Sequence, residues 1–189
     1  MNNKKNYKHR NQVRIIGGVC RGRKLVFEPA EGLRPTPDSV RERLFNWLGQ
    51  DLTGKTVLDL FAGSGALGLE AASRNAKQVI AVEKNKQTAE NLRQNAQNLS
   101  LNQISVLNTD GLLYLCGGEQ KFDVVFLDPP FAWSEWNKAF TFLKNRLEKN
   151  AFVYIEAGQI PDCPSWIEVF REGSSGMSKF QLLRCCTTD

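Results

Sequence analysis

From Lys55 onward, short apolar runs alternate with helix-forming stretches, and nearly every run ends on a carboxylate. Residues 56–60, 78–82, 104–107, 122–127 and 152–155 read as buried strands. Residues 66–73 are rich in helix formers, and 86–98 place Ala89, Leu92 and Ala96 on one face. Ser134 stands where a helix cap is expected, before Trp136, Phe140, Leu143 and Leu147 at helical spacing. Residues 166–170 and 180–183 flank Gly173-Ser174-Ser175-Gly176 and read as a closing hairpin. Such alternation predicts an α/β fold with a mainly parallel sheet covered on both faces. In such sheets ligands bind at the carboxyl ends of the strands, near the switch in strand order. Asp59, Glu83, Asp110 and Asp128 fall at four consecutive ends.

Before Lys55 the pattern differs. Residues 1–11 are polar and aperiodic, and the reading makes 1–12 a disordered basic tail. Residues 13–18 and 23–27 read as two strands around a glycine turn. Residues 33–37 are an extended connector, because residues before proline avoid the helical region. Thr36 is placed to cap a helix carrying Val40, Leu44, Trp47 and Leu48 on one face. Trp47 is read as core. The domain reading is therefore a tail, an extension over 13–52 and a main domain over 53–189.

Charge separates along the same boundary. Residues 1–55 carry twelve Lys/Arg against five Asp/Glu, whereas 56–189 carry thirteen against fifteen. A basic patch attracts polyanions and releases counterions from phosphates, so Arg14, Arg21, Arg23 and Lys24 are candidate nucleic-acid contacts. Five cysteines and one histidine in no ligand pattern argue against a metal site. The absence of an apolar stretch of about 20 residues, or of a signal-peptide core, predicts a soluble cytoplasmic protein. One site on one domain suggests a monomer.

Gly63-x-Gly65-x-x-Gly68 follows the first strand of the alternating half, and Glu83 closes the next one. That order suits a nucleotide-like cofactor: glycines let the backbone approach it, and the acid accepts from ribose hydroxyls. The candidate cofactor residues are Asp59, Phe61, Ala62, Gly63, Ser64, Gly65, Glu83, Lys84, Asp110 and Gly111. Asp110 can accept from an adenine amine, cap residues 111–116, or do both. Two cofactors fit the turn. NAD would set its pyrophosphate on the helix N-terminus, beside which the Asp59 carboxylate is unfavourable. S-adenosylmethionine carries an ammonium that Asp59 suits, and the balance favours it.

Asp128-Pro129-Pro130-Phe131 ends the fourth of these strands. An aryl amine is a poor nucleophile because its lone pair is delocalised. Asp128 and the Pro129 carbonyl can accept from such an amine and aim its lone pair. Pro129 and Pro130 stiffen the loop and add no competing donor. Phe131 offers a face for an extruded base. This tetrapeptide resembles the motif of S-adenosylmethionine-dependent methyltransferases acting on exocyclic or amide nitrogens. It does not choose between guanine N2 and adenine N6. An NAD-dependent oxidoreductase and a non-catalytic RNA-binding protein are the readings from other classes.

The N-terminal motifs narrow the resemblance. Arg14-Ile15-Ile16-Gly17-Gly18, Arg21-Gly22-Arg23-Lys24-Leu25, Leu33-Arg34-Pro35-Thr36 and the run Val40 to Trp47 are together similar to the bacterial small-subunit rRNA guanine-N2 methyltransferase family, the RsmD type. Val19-Cys20 stands where that family usually has an aromatic, and Pro37 where it has a second threonine. The resemblance implies a Rossmann-like class I methyltransferase with a seven-stranded sheet and a C-terminal antiparallel hairpin. It implies S-adenosylmethionine as cofactor. It also implies a guanine of 16S rRNA as substrate, in the small subunit or its assembly intermediate. Arg34, Thr36 and Arg41 become candidates for the RNA side of the pocket. The alternative for Arg41, Glu42 and Arg43 is a solvated helix face.

Overall fold

The computed structural model describes residues 12–27 and 35–186. Residues 1–11 of the expected basic tail and Arg34 therefore lie outside the described residues, whereas Gln12, expected in the tail, opens the first strand. Two short strands, β1 (Gln12–Arg14) and β2 (Lys24–Val26), form an antiparallel hairpin ahead of α1 (Asp38–Leu48). The alternating region then runs β3 (Thr56–Asp59), α2 (Ala66–Ser73), β4 (Gln78–Val82), α3 (Lys86–Asn98), β5 (Ile104–Leu107) and α4 (Gly111–Cys116). It continues with β6 (Phe122–Leu127), α5 (Trp136–Leu143), β7 (Leu147–Ala157), β8 (Ile167–Ser175) and β9 (Ser178–Cys185). No helix among the described residues is long and apolar enough to cross a membrane.

The seven strands from β3 onward form one sheet in the order β5-β4-β3-β6-β7-β9-β8. The first five are parallel, and β9 runs antiparallel between β7 and β8. The order reverses between β3 and β6, which leaves a crevice at their carboxyl ends. Central strands are buried on both faces, so Val57, Leu58, Val125 and Phe126 are fully inaccessible.

The N-terminal hairpin shares the core of the sheet domain. Val13, Ile15, Leu25, Phe27, Val40, Leu44 and Phe45 pack with Val57, Leu69 and Phe126 in one cluster. The polar centre of this packing is Glu70 on α2, which is fully buried. Its carboxylate accepts from the backbone N–H groups of Ile16 (2.8 Å) and Gly17 (2.7 Å), from Arg41 Nη1 (3.2 Å) and from Arg74 Nε (2.9 Å). Four donors offset the desolvation of a buried charge. The next turn of α2 clamps the hairpin again: Val19 N–H donates to the Ser73 carbonyl and Cys20 N–H to Ser73 Oγ. Gly18 has φ 73°, and a Cβ there would stand 1.8 Å from the Ser73 carbonyl oxygen, so no side chain fits.

Four sequence expectations are corrected here. Strand β1 covers only Gln12–Arg14, because the chain bends at Ile15-Ile16 to reach Glu70. Arg41 is neither solvated nor facing RNA. Its side chain is fully buried, paired with Glu70 and Asp38, and donates to the carbonyls of Thr36 and Arg14. Thr36 does not cap α1, whose N-cap is Pro37 with no side-chain bond. Ser134 caps nothing either: α5 begins after Glu135 and ends at Leu143, and Leu147 opens β7 instead of closing the helix. The intervening turn is held by Arg146, which donates to the carbonyls of Gln120, Tyr114 and Leu115.

Removing Arg41 leaves Glu70 charged and under-satisfied in the core. Arg41→Ala is expected to cost about 3–5 kcal/mol, lowering the thermal midpoint by roughly 10 °C. The same change at exposed Arg43, which rests on the Phe180 ring, is expected to shift it by no more than about 3 °C. Comparable midpoints for the two variants, read by calorimetry, would contradict the role given to the buried pair.

Candidate active site

The pairing of β3 with β6 sets Leu58 beside Val125 and Asp59 beside Phe126. The chain after Asp59 and the chain after Leu127 therefore leave the sheet side by side. Both line one cavity of about 1270 Å³. The glycine turn contributes Leu60 to Ser64, and the second loop contributes Asp128, Pro129, Pro130 and Phe131. Glu83, Lys84, Asp110 and Gly111 from the ends of β4 and β5 line it as well, as does Thr36.

Each strand-end acid has a local task. Asp59 Oδ2 accepts from the Gly68 N–H at 2.9 Å, tying the start of α2 to the end of β3. Glu83 accepts from the Gly63 N–H (2.9 Å) and from Asn85 N–H (2.7 Å), one on each oxygen, so lone pairs remain on both. Asp110 caps α4 through Leu112 and Leu113 N–H and pairs with Lys84 at 3.3 Å. Gly65 alone among the expected cofactor residues does not face the cavity. It has φ 80°, and a Cβ there would lie 2.2 Å from Leu92, so it turns the chain against α3.

The floor beside Asp128 is acidic. Thr36 Oγ1 donates to Asp128 Oδ2 at 2.9 Å across 92 residues of chain. Glu156, at the end of β7, lines the same cavity, and Tyr154 Oη donates to its Oε2 at 2.7 Å. Burial pushes the Asp128 carboxyl well above the usual carboxylate range; the charges of Glu156 and, less, Asp59 push it the same way, while Thr36 opposes them. Burial likewise raises Asp59 to about 7, against the Gly68 bond and with a smaller push from Glu83. Asp59, Glu83, Asp110, Asp128 and Glu156 face one ammonium, Lys84, among the described lining residues. A cavity of this sign fits a cationic ligand and repels a pyrophosphate, which removes the ground for the NAD reading.

The second loop is open toward solvent. Phe131 is 61% exposed at the rim. The Pro130 carbonyl accepts from Trp133 N–H at 2.8 Å, whereas no described residue donates to the Pro129 carbonyl. Trp133, to which sequence gave no role, packs edge-on against Phe61 with centroids 5.0 Å apart, joining the two loops. Of the expected RNA contacts, Thr36 reaches the cavity. Arg14, Arg21, Arg23 and Lys24 are exposed on the hairpin outside it, with Arg14 paired to Asp38 and Arg23 donating to the Asn98 carbonyl. Glu156 and Tyr154 were missed, although Glu156 follows an apolar run as the other four acids do. Thr36 was read both as a helix cap and as a residue on the RNA side of the pocket; it lines the cavity, and its bond to the distant Asp128 was not foreseen.

The fold and these two loops define a class I S-adenosylmethionine-dependent methyltransferase. Conserved hypothetical protein 95 is the family whose model matches residues 13–184. The Ribosomal RNA small subunit methyltransferase D of Haemophilus influenzae is 46% identical over 153 residues, 78% of this chain and 79% of that protein. Its counterpart from Escherichia coli strain K12 is 36% identical over 184 residues, 95% and 93% of the two chains. A solved Escherichia coli structure superposes with a TM-score of 0.85 at 34% identity, covering 92% of this chain and 98% of that one. The chain belongs to this family, that of the small-subunit ribosomal RNA methyltransferase D proteins.

Asp59 also sets a pH dependence of folding. Its folded value of about 7 lies above the unfolded 3.8, so the native state binds the extra proton between them. Stability from this group is therefore present below about pH 4, falls as pH rises to 7, and is level beyond. Asp59→Asn removes the effect. The unfolding free energy of the variant minus that of the wild type is expected to grow by a few kcal/mol from pH 4 to 7, ~1.4 per unit of pH. A difference that stays flat in denaturant titrations would contradict the buried, under-paired state of Asp59.

Proposed function

We propose that the protein methylates the exocyclic N2 amine of a guanine in 16S rRNA, within the small ribosomal subunit or its assembly intermediate. The observation that carries the reading is the shared cavity: the glycine turn and the Asp128 to Phe131 loop line one space. The names of the relatives supply the substrate class. S-adenosylmethionine, when bound, supplies an electrophilic methyl carbon on a sulfonium. Asp59 would hold its ammonium, Glu83 its ribose hydroxyls, and the backbone from Phe61 to Ser64 its flank, with Gly111 and Asp110 near the base. The positive charge of the cofactor suits the excess of carboxylates.

The protein's own residues then prepare the amine. Phe131 offers a stacking face for the extruded base, worth ~1–3 kcal/mol. Asp128 and the Pro129 carbonyl accept the two amine hydrogens, which makes the nitrogen pyramidal and takes its lone pair out of conjugation with the ring. Orientation is the main source of rate. Asp128 takes the proton that the amine sheds on methylation. Arg14, Arg21, Arg23 and Lys24 hold RNA phosphates outside the cavity, where exposed cations add salt-dependent affinity, and Arg34 remains a further candidate for RNA.

Purified small subunits from a strain lacking the gene are the test substrate. Expected is transfer of one methyl group to one guanine, identified as N2-methylguanosine by nucleoside mass spectrometry. N6-methyladenosine would replace the reading with its adenine alternative.

Asp128→Ala is expected to lower kcat at least ~10³-fold while changing cofactor affinity less than about threefold by calorimetry. Asp128 must be ionised to take the proton that the amine sheds, and its carboxyl is raised, so activity rises with pH through that raised value. Thr36→Val removes the one contact that lowers it. The rise is then expected at higher pH, and an unshifted or acid-shifted profile would contradict the Thr36 to Asp128 bond.

A further inference from the structure

Glu156 closes β7 as Asp128 closes β6. Leu127 and Ile155 are register partners on these adjacent parallel strands, so the two acids emerge next to each other and line the cavity together. Each carries one hydroxyl donor, Thr36 on Asp128 Oδ2 and Tyr154 on Glu156 Oε2. Among the described residues nothing donates to Asp128 Oδ1 or Glu156 Oε1. Glu156 is only 8% exposed and Tyr154 is fully buried. A carboxylate so enclosed, with a free oxygen turned to a cavity, is costly unless a ligand supplies the missing donor. The phenol of Tyr154 is raised well above its ordinary value by burial and then by the charges of Glu156 and Asp128. It therefore stays a donor to Glu156 Oε2.

Two neighbouring acceptors discriminate between purines. The Watson–Crick edge of guanine places the N2 amine beside N1–H, two adjacent donors. Adenine places its N6 amine beside N1, a donor beside an acceptor. We infer that Glu156 selects guanine, its Oε1 accepting N1–H while Asp128 holds the N2 amine. This rests on the guanine-N2 reading above. Adenine in the same pose would set its N1 lone pair against a carboxylate oxygen, and a site built for a donor rejects a ligand lacking it.

The experiment uses small subunits reconstituted with either guanine or 2-aminopurine at the mapped position. 2-Aminopurine keeps the C2 amine but presents N1 as an acceptor. Wild-type protein is expected to prefer guanine at least ~10-fold in kcat/KM, the scale of one specific base contact. Glu156→Gln can turn its amide N–H toward N1 of 2-aminopurine and still accept from Tyr154. It is expected to lose rate on guanine and to narrow the preference to within about threefold, with cofactor affinity unchanged. Glu156→Ala, which removes both oxygens, is expected to narrow it equally and serves if the amide variant does not fold. A wild type that uses both bases alike, or variants that retain the full preference, would overturn the assignment and leave guanine-N2 transfer standing. A wild type that modifies neither base would instead overturn the guanine-N2 reading itself.

Discussion

One parallel pairing, β3 against β6, fixes the geometry of everything else at the site. These strands lie side by side although register partners such as Asp59 and Phe126 are 67 positions apart along the chain; Val124 and Val125 are buried by α-helices on both faces of the sheet. A one-residue slip would turn each of these side chains to the opposite face. The register is thus held by the whole core, and the two loops inherit their proximity from it. The Leu60 N–H donates to the Phe126 carbonyl at 3.1 Å, extending the ladder to the lip of the cavity.

Charge is distributed against the overall balance of the protein. The chain carries a formal +5, yet the cavity is lined by five carboxylates and one lysine among the described residues. Arg14, Arg21, Arg23 and Lys24 instead stand exposed on the hairpin. Burial raises Asp59 and Asp128, which favours their protonated forms. The exposed cations of the hairpin and the acidic cavity are thereby kept apart. Glu70 connects them mechanically, since the same carboxylate anchors the hairpin backbone and the Arg41 that braces the Thr36 carbonyl. Thr36 in turn touches Asp128, so the segment that follows the basic hairpin reaches the cavity floor directly.

Much of this was legible in the chain. Asp59, Glu83, Asp110 and Asp128 each follow an apolar run, and a strand-end carboxylate is a local signal that survives folding. Glu156 gave the same signal, but no motif pointed to it as the Gly63 to Gly68 turn pointed to Glu83. Thr36 and Arg41 were misread for a different reason. Thr-Pro-Asp before a helix satisfies the local rules for a cap, and an arginine on a polar stretch satisfies those for a solvated face. Their actual partners, Asp128 and Glu70, lie 92 and 29 residues away, and no periodicity reports such pairings. Leu147 continued the helical spacing of α5, but three buried bonds from Arg146 end the helix first.

The account stands on the cofactor and the amine meeting in one space. The most direct measurement is a crystal structure of the protein with S-adenosylhomocysteine. The account predicts the amino-acid end against Asp59, the ribose against Glu83, and the thioether sulfur open toward Asp128 and Pro129 with no side chain between. A ligand bound elsewhere, or a sulfur walled off from the Asp128 to Phe131 loop, would contradict it.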